Sequence, residues 1–222
     1  MSEPRCPYCN KVLDKKPTRK KKCPHCGNYI YVRRGQLMTL EQVEEYEARQ
    51  REEWKQKQWL ERLGKYGVTE QIFKSYQMKL SNEFGTQASI NDTVWRILNT
   101  ELGRATDAQS LRTVYYDMAE LLRSEGKNPV SVLEKTARLS LLELQQDGVT
   151  HVTISTANDT YVCDSCKAME GKVVAIDLAL RELPIPHVCT SNGGCRCVYL
   201  PVLNYDDESK AKRKRKKRFG LF

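Results

Sequence analysis

The chain has 222 residues, nine of them cysteines, 40% hydrophobic residues and a net charge of +9, enough for one ordinary domain plus small metal-stapled modules. It has no apolar run of the length that spans a membrane and no apolar signal core near Met1, so the expectation is a protein of a reducing compartment, cytoplasmic or virion-associated, without membrane contact. Clustered cysteines there read as metal ligands before disulfides. The charge is uneven. Residues 1–36 carry ten Lys/Arg against two acids and residues 204–222 carry eight against three, while the body between them is net acidic. Two basic ends on an acidic body point to an anionic partner, nucleic acid first.

The fold class expected is mainly α with small β: a helical bundle flanked by an N-terminal zinc ribbon (1–36) and a C-terminal zinc-stapled β module (149–203). The helical region runs over 37–148, and a basic, low-complexity tail, 204–222, closes the chain.

The first element is the ribbon. Cys6-Pro-Tyr-Cys9 and Cys23-Pro-His-Cys26 are CxxC knuckles separated by thirteen residues. Each knuckle can aim two thiolates at one point, and two knuckles complete a tetrahedral shell. A segment this short buries little, so zinc must supply its folding energy. A redox dithiol would need only one CxxC on a larger unit. His25, inside the second knuckle, reads as a surface residue. Lys20, Lys21 and Lys22 between the knuckles, with Arg33 and Arg34, form the expected nucleic-acid-binding patch, and Tyr8, Tyr29 and Tyr31 offer stacking faces. Zinc ribbons also dock proteins, and the residues do not separate the two uses.

The helices follow from caps and period. Thr39 with Gln42 forms a capping box for a charged helix ending near Gly64, with Trp54 and Trp59 docked. Thr69 caps a second helix, which ends at Gly85, with Ile72, Phe73, Tyr76 and Leu80 on one face. A third runs from about Ile90 to Leu102, with Val94, Ile97 and Leu98 inward and Gly103 as its stop. Asp107 caps a fourth, ended by Gly126, whose Leu111, Val114, Tyr115, Met118, Leu121 and Leu122 keep the three-four spacing of a buried face. A fifth opens with Asn128 as cap and Pro129 at the first helical position; Leu133, Ala137, Leu141 and Leu144 make its stripe, and Gly148 closes it.

After Gly148 the composition turns β-branched. Strands are expected in VTHVTIST, at Lys172–Ile176 and at Val198–Leu203, and Pro184 and Pro186 stop any helix that continues from Asp177. The apolar residues that this module offers are Val152, Ile154, Val173, Val174, Ile176 and Val198, too few for a core without metal. Six candidates compete for one zinc: Cys163, Cys166, His187, Cys189, Cys195 and Cys197. The expected ligands are Cys163, Cys166, Cys189 and Cys195, with Cys197 and His187 as alternates, which makes two Zn2+ ions per chain. A disulfide is the rival in an oxidising space. Four closed ligands staple rather than catalyse. No Gly-rich phosphate loop and no nucleophile–base pattern is present, so the expected role is non-enzymatic.

The segment from Ala137 to Val202 resembles the C-terminal motif of the phage head morphogenesis family, the Mu F-like minor head proteins. The matching pieces are Ala137-Arg138, Gly148-Val149, Asp159, Cys163 and Cys166, Met169-Glu170-Gly171-Lys172-Val173, Pro186-His187, Cys195-Arg196-Cys197 and Pro201-Val202. The family usually sets its His three residues before the first Cys of Cys-Arg-Cys; here His187 lies eight before Cys195, and Cys189 intervenes. Either His187 keeps its place through a longer loop or Cys189 takes over. The resemblance implies a minor capsid protein of a virion or prophage, meeting portal or capsid proteins near packaged DNA. An N-terminal ribbon is not usual in that layout, and the alternative is a cellular zinc-ribbon nucleic-acid-binding or regulatory adaptor.

Overall fold

A computed structural model describes residues 3–190 and 194–203. The basic tail, 204–222, lies outside the described residues. The chain forms two compact units, Met1–Ile90 and Asn91–Phe222, so the helical region expected as one piece over 37–148 is divided between them. Among the described residues the architecture is mainly helical with two small antiparallel sheets.

The first unit opens with a sheet of β1 (Lys21–Lys22), β2 (Tyr29–Arg33) and β3 (Gln36–Met38), in the order β1-β2-β3. β2 and β3 pair with Arg33 opposite Gln36, which leaves Arg34 and Gly35 as a two-residue turn. Both have positive φ, +48° and +76°, as the tight hairpin turns that match strand twist require. The sheet leads into α1 (Leu40–Leu63), whose capping box forms as its sequence predicts: the Gln42 N–H donates to Thr39 Oγ1 and the Thr39 N–H to Gln42 Oε1. Only Val43, Trp59 and Leu63 are buried along it. Trp59 is docked as expected, but Trp54 is 65% exposed, because it lies on the charged face of a helix with a narrow apolar stripe. A single 3-10 turn, Gly64–Tyr66, joins α1 to α2 (Glu70–Phe84), which Thr69 caps and Gly85 ends at φ +69°. Phe73 and Leu80 are buried there, whereas Ile72 is exposed.

The second unit contains α3 (Ile90–Arg104) from Asn91 onward, α4 (Ala108–Ser124) and α5 (Val130–Gln146). α3 continues through Gly103 to Arg104, so that glycine is not its stop. Its φ is not left-handed, and a helix tolerates such a glycine at a cost of about 1 kcal/mol. Asp107 caps α4 by accepting from the Ser110 N–H at 2.8 Å. α5 starts one residue later than its sequence suggests, at Val130, and the Asn128 side chain accepts from the Val130 N–H at 3.0 Å. α4 and α5 pack side by side. Then come β4 (His151–Ser155), α6 (Asp164–Lys167), β5 (Val173–Ala175), α7 (Ile176–Glu182) and β6 (Val198–Pro201). β4 is the central strand, antiparallel to both neighbours in the order β5-β4-β6.

The core of this unit differs from expectation. Val152, Ile154 and Ile176 are buried with Val162, Ala179, Ile185, Tyr199, Cys166 and Cys195, and Leu141 of α5 belongs to the same cluster, with Ala137 and Leu144 against it. Val173 and Val198 are exposed instead, because alternation along their strands turns them to the outer face. The C-terminal module is therefore not a nearly coreless piece beginning at 149. It shares its core with α5.

Candidate metal centres

In the ribbon, Cys6, Cys9, Cys23 and Cys26 bring their sulfurs within 4.8 Å of one another. The Cys6–Cys26 and Cys9–Cys23 separations are 3.8 and 3.9 Å, and a tetrahedral shell with bonds of ~2.3 Å sets its sulfurs ~3.8 Å apart. Two like turns build this arrangement. The Asn10 N–H donates to the Cys6 carbonyl at 2.9 Å and the Gly27 N–H to the Cys23 carbonyl at 3.0 Å. Asn10 and Gly27 take positive φ, +58° and +75°, which suits Gly and Asn. Cys6 and Cys23 are buried with Leu13 and Ile30.

Burial pushes the Cys6 thiol up to about 11. Burial also acts upward on Cys23, but the N–H groups of Cys26 and His25, with the thiols of Cys6 and Cys26, outweigh it and bring Cys23 down to about 6. The environment thus favours the thiolate of Cys23 and resists that of Cys6, and the thiolate is the metal-binding form of a cysteine. His25 is not among the donors; its Nε2 lies 3.1 Å from the Val12 carbonyl.

The ribbon is fastened to α1. The Leu40 N–H donates to the Tyr8 hydroxyl at 2.7 Å, and Arg33 donates twice to Glu47 Oε1, at 2.6 and 3.1 Å. Arg33, expected in the basic patch, is thus occupied within the unit, and Arg34 reaches Gln50 at 3.5 Å. Lys20, Lys21 and Lys22 are exposed. The Lys20 ammonium sits 4.8 Å from the ring centre of Tyr29 and 4.9 Å from that of Tyr31, a cation–π arrangement that joins the expected lysine and tyrosine faces.

In the second unit, Cys163, Cys166, His187 and Cys189 have their donor atoms within 4.8 Å of one another, and Cys166, Cys195 and Cys197 form another such group. Cys195, expected beside Cys163 and Cys189, is placed with Cys166 and Cys197 instead, and His187, an alternate, stands in the four-donor group. His187 Nε2 is 3.9 Å from Cys163 Sγ and 3.7 Å from Cys166 Sγ; Cys189 Sγ is 3.3 Å from Cys163 Sγ and 3.9 Å from Cys166 Sγ. The knuckle is the start of α6, which sequence reasoning missed: Cys163 is its N-cap, and its sulfur accepts from the Cys166 N–H at 3.4 Å. With four residues, α6 is too short to show a helical period in the sequence.

His187 is carried by a hook. The Tyr199 hydroxyl of β6 donates to the Ile185 carbonyl at 3.0 Å and accepts from the Ile185 N–H at 3.2 Å, which pins the chain two residues before the imidazole. Asp159 accepts from both Arg196 Nη1 and Nη2 at 2.7 Å. The hydrogen bond from His187, then the Cys166 N–H and Cys189, bring the Cys163 thiol down to about 6. Burial drives Cys166 strongly upward and Cys197 up to about 11.

The three groups could each hold a metal ion, and their soft sulfur and imidazole donors fit zinc. Among the described residues, no helix is long and apolar enough to cross a membrane. In comparisons with known proteins, the chain matches no family model, no curated protein and no solved structure.

Proposed function

We propose that the chain is a non-enzymatic, zinc-stapled structural protein of the phage head morphogenesis kind, which contacts nucleic acid through its ribbon. The observation that supports this is the meeting of motif pieces far apart in sequence. Arg138 of α5 donates to the Leu180 carbonyl at 2.7 Å. Asp159 grips Arg196 between the two cysteines of Cys-Arg-Cys. Pro201 pairs opposite Val152. Arg138, Asp159, Arg196 and Pro201, four positions of the resemblance, are thus tied into one unit. Zinc is held in the ribbon by Cys6, Cys9, Cys23 and Cys26, and in the second unit by Cys163, Cys166, His187 and Cys189. Both sets are closed, and a closed tetrahedral site holds structure.

The test is mass spectrometry of purified phage particles from the host that carries the gene. The chain is expected to co-purify with portal and capsid proteins at a fixed ratio. Its absence from particles overturns the head role and leaves the second reading, a cellular nucleic-acid-binding adaptor. The observation that favours that reading is Lys20 set against Tyr29 and Tyr31 beside two further exposed lysines, since cations interleaved with aromatic faces suit single-stranded nucleic acid.

A further inference from the structure

We propose that Cys166 is a bridging thiolate between two metal ions, so that the second unit holds a binuclear centre and the whole chain three ions. The proposal rests on the reading of Cys163, Cys166, His187 and Cys189 as a zinc site and adds a second ion beside it.

Two donor groups meet at one atom. Cys163, Cys166, His187 and Cys189 are one; Cys166, Cys195 and Cys197 are the other; in each, all donor atoms lie within 4.8 Å of one another. One tetrahedral ion takes four donors, and the first group supplies them. That leaves Cys195, 3% exposed in the hydrophobic core, and Cys197 gathered around a sulfur already bound to metal. A thiolate sulfur keeps lone pairs after its first metal bond and can accept a second ion. Cys195 and Cys197 then complete three protein donors for that ion, and water takes the fourth position, the pattern of an open zinc site. Cys195 and Cys197 also line a cavity of about 600 Å³ together with Tyr116, Glu120 and Arg123.

The charge also balances closely. Filling the second position releases two thiol protons to solvent, from Cys195 and Cys197, and adds one divalent ion, so the cluster's charge does not change. Five thiolates and two divalent ions leave a single negative charge. Arg123 Nη2 donates to the Cys195 carbonyl at 3.3 Å, which sets a guanidinium beside it.

The experiment is native mass spectrometry of the full-length chain titrated with zinc, followed by NMR of the cadmium-substituted protein. Three ions are expected in the wild type. Cys197→Ser should lose one and keep two; Cys166→Ser should lose two and keep the ribbon's ion. Two of the three cadmium signals should be split by coupling through the shared sulfur. Two ions in the wild type, or three signals without coupling, overturn the bridge and leave the four-donor site standing. A single ion overturns that site as well. Because Cys197→Ser leaves the four-donor group intact, its count does not depend on whether Cys166→Ser folds.

Discussion

Asp159 and Arg196 lie 37 residues apart and meet as a two-pronged ion pair, with both guanidinium nitrogens 2.7 Å from the carboxylate oxygens. The pair ties the loop ahead of the Cys163 knuckle to the residue between Cys195 and Cys197. Fork-on-fork geometry is specific to arginine, so Arg196→Lys and Asp159→Asn should both speed zinc transfer to a chelator. The hydrogen bond from Arg196 holds the Asp159 carboxyl below its usual range. A depressed carboxyl contributes stability above its unfolded value and loses it as pH falls through the folded one. The stability difference between wild type and Asp159→Asn in urea should therefore be full near neutrality and shrink in acid below the ordinary carboxylate range. A difference that stays constant across that range would mean the pair is idle.

Tyr199→Phe removes the hydroxyl that meets both polar groups of Ile185. The loss of those partners in a buried site should cost about 1–3 kcal/mol and leave His187 less fixed. Urea unfolding gives the first quantity and the rate of zinc loss to a chelator the second. Unchanged zinc loss with normal destabilisation would separate the hook from the metal.

Leu141 is fully buried and belongs to α5 yet packs in the core of the C-terminal module. Leu141→Ala should cost roughly 2–5 kcal/mol, and limited proteolysis should release fragments from residues 108–146 and 149–203 together. Cleavage confined to one side of Gly148 would restore a module boundary there.

In the ribbon, Cys6→Ser should remove one zinc ion and unfold residues 3–38. Because Tyr8 and Arg33 fasten α1, hydrogen exchange in its first turns should rise as well. Protection of Leu40–Glu47 unchanged in that variant would show that α1 stands alone.

Changing Lys20, Lys21 and Lys22 to Ala should weaken binding to single-stranded DNA and flatten the slope of log affinity against log salt by roughly 0.7 for each phosphate contact removed. Arg33→Ala should instead act on stability, since Arg33 is paired with Glu47. Equal salt slopes in the triple variant and the wild type would make the ribbon a protein-docking module.

What was legible in the sequence was local. Thr39, Thr69 and Asp107 declare their helices because cap and capped N–H lie within three residues. Each CxxC declares itself because its turn does. The choice between His187 and Cys195 was not legible. The pairs 187/189 and 195/197 have the same spacing, and the 187/189 pair that faces Cys163 follows a segment held by the Tyr199 hook on Ile185, a contact across fourteen residues that spacing does not reveal. The place of Leu141 was hidden for a related reason: a helical stripe says that a face is buried, not what covers it.

α1 runs for 24 residues from the edge of the ribbon, a rod of about 36 Å at 1.5 Å per residue. Because β2 and Tyr8 grip its first turns, the ribbon cannot swivel without swinging the rod. Whatever orients the ribbon therefore also aims α1, along which Trp54 is exposed. A partner that held both would read distance as well as charge, with α1 as its ruler.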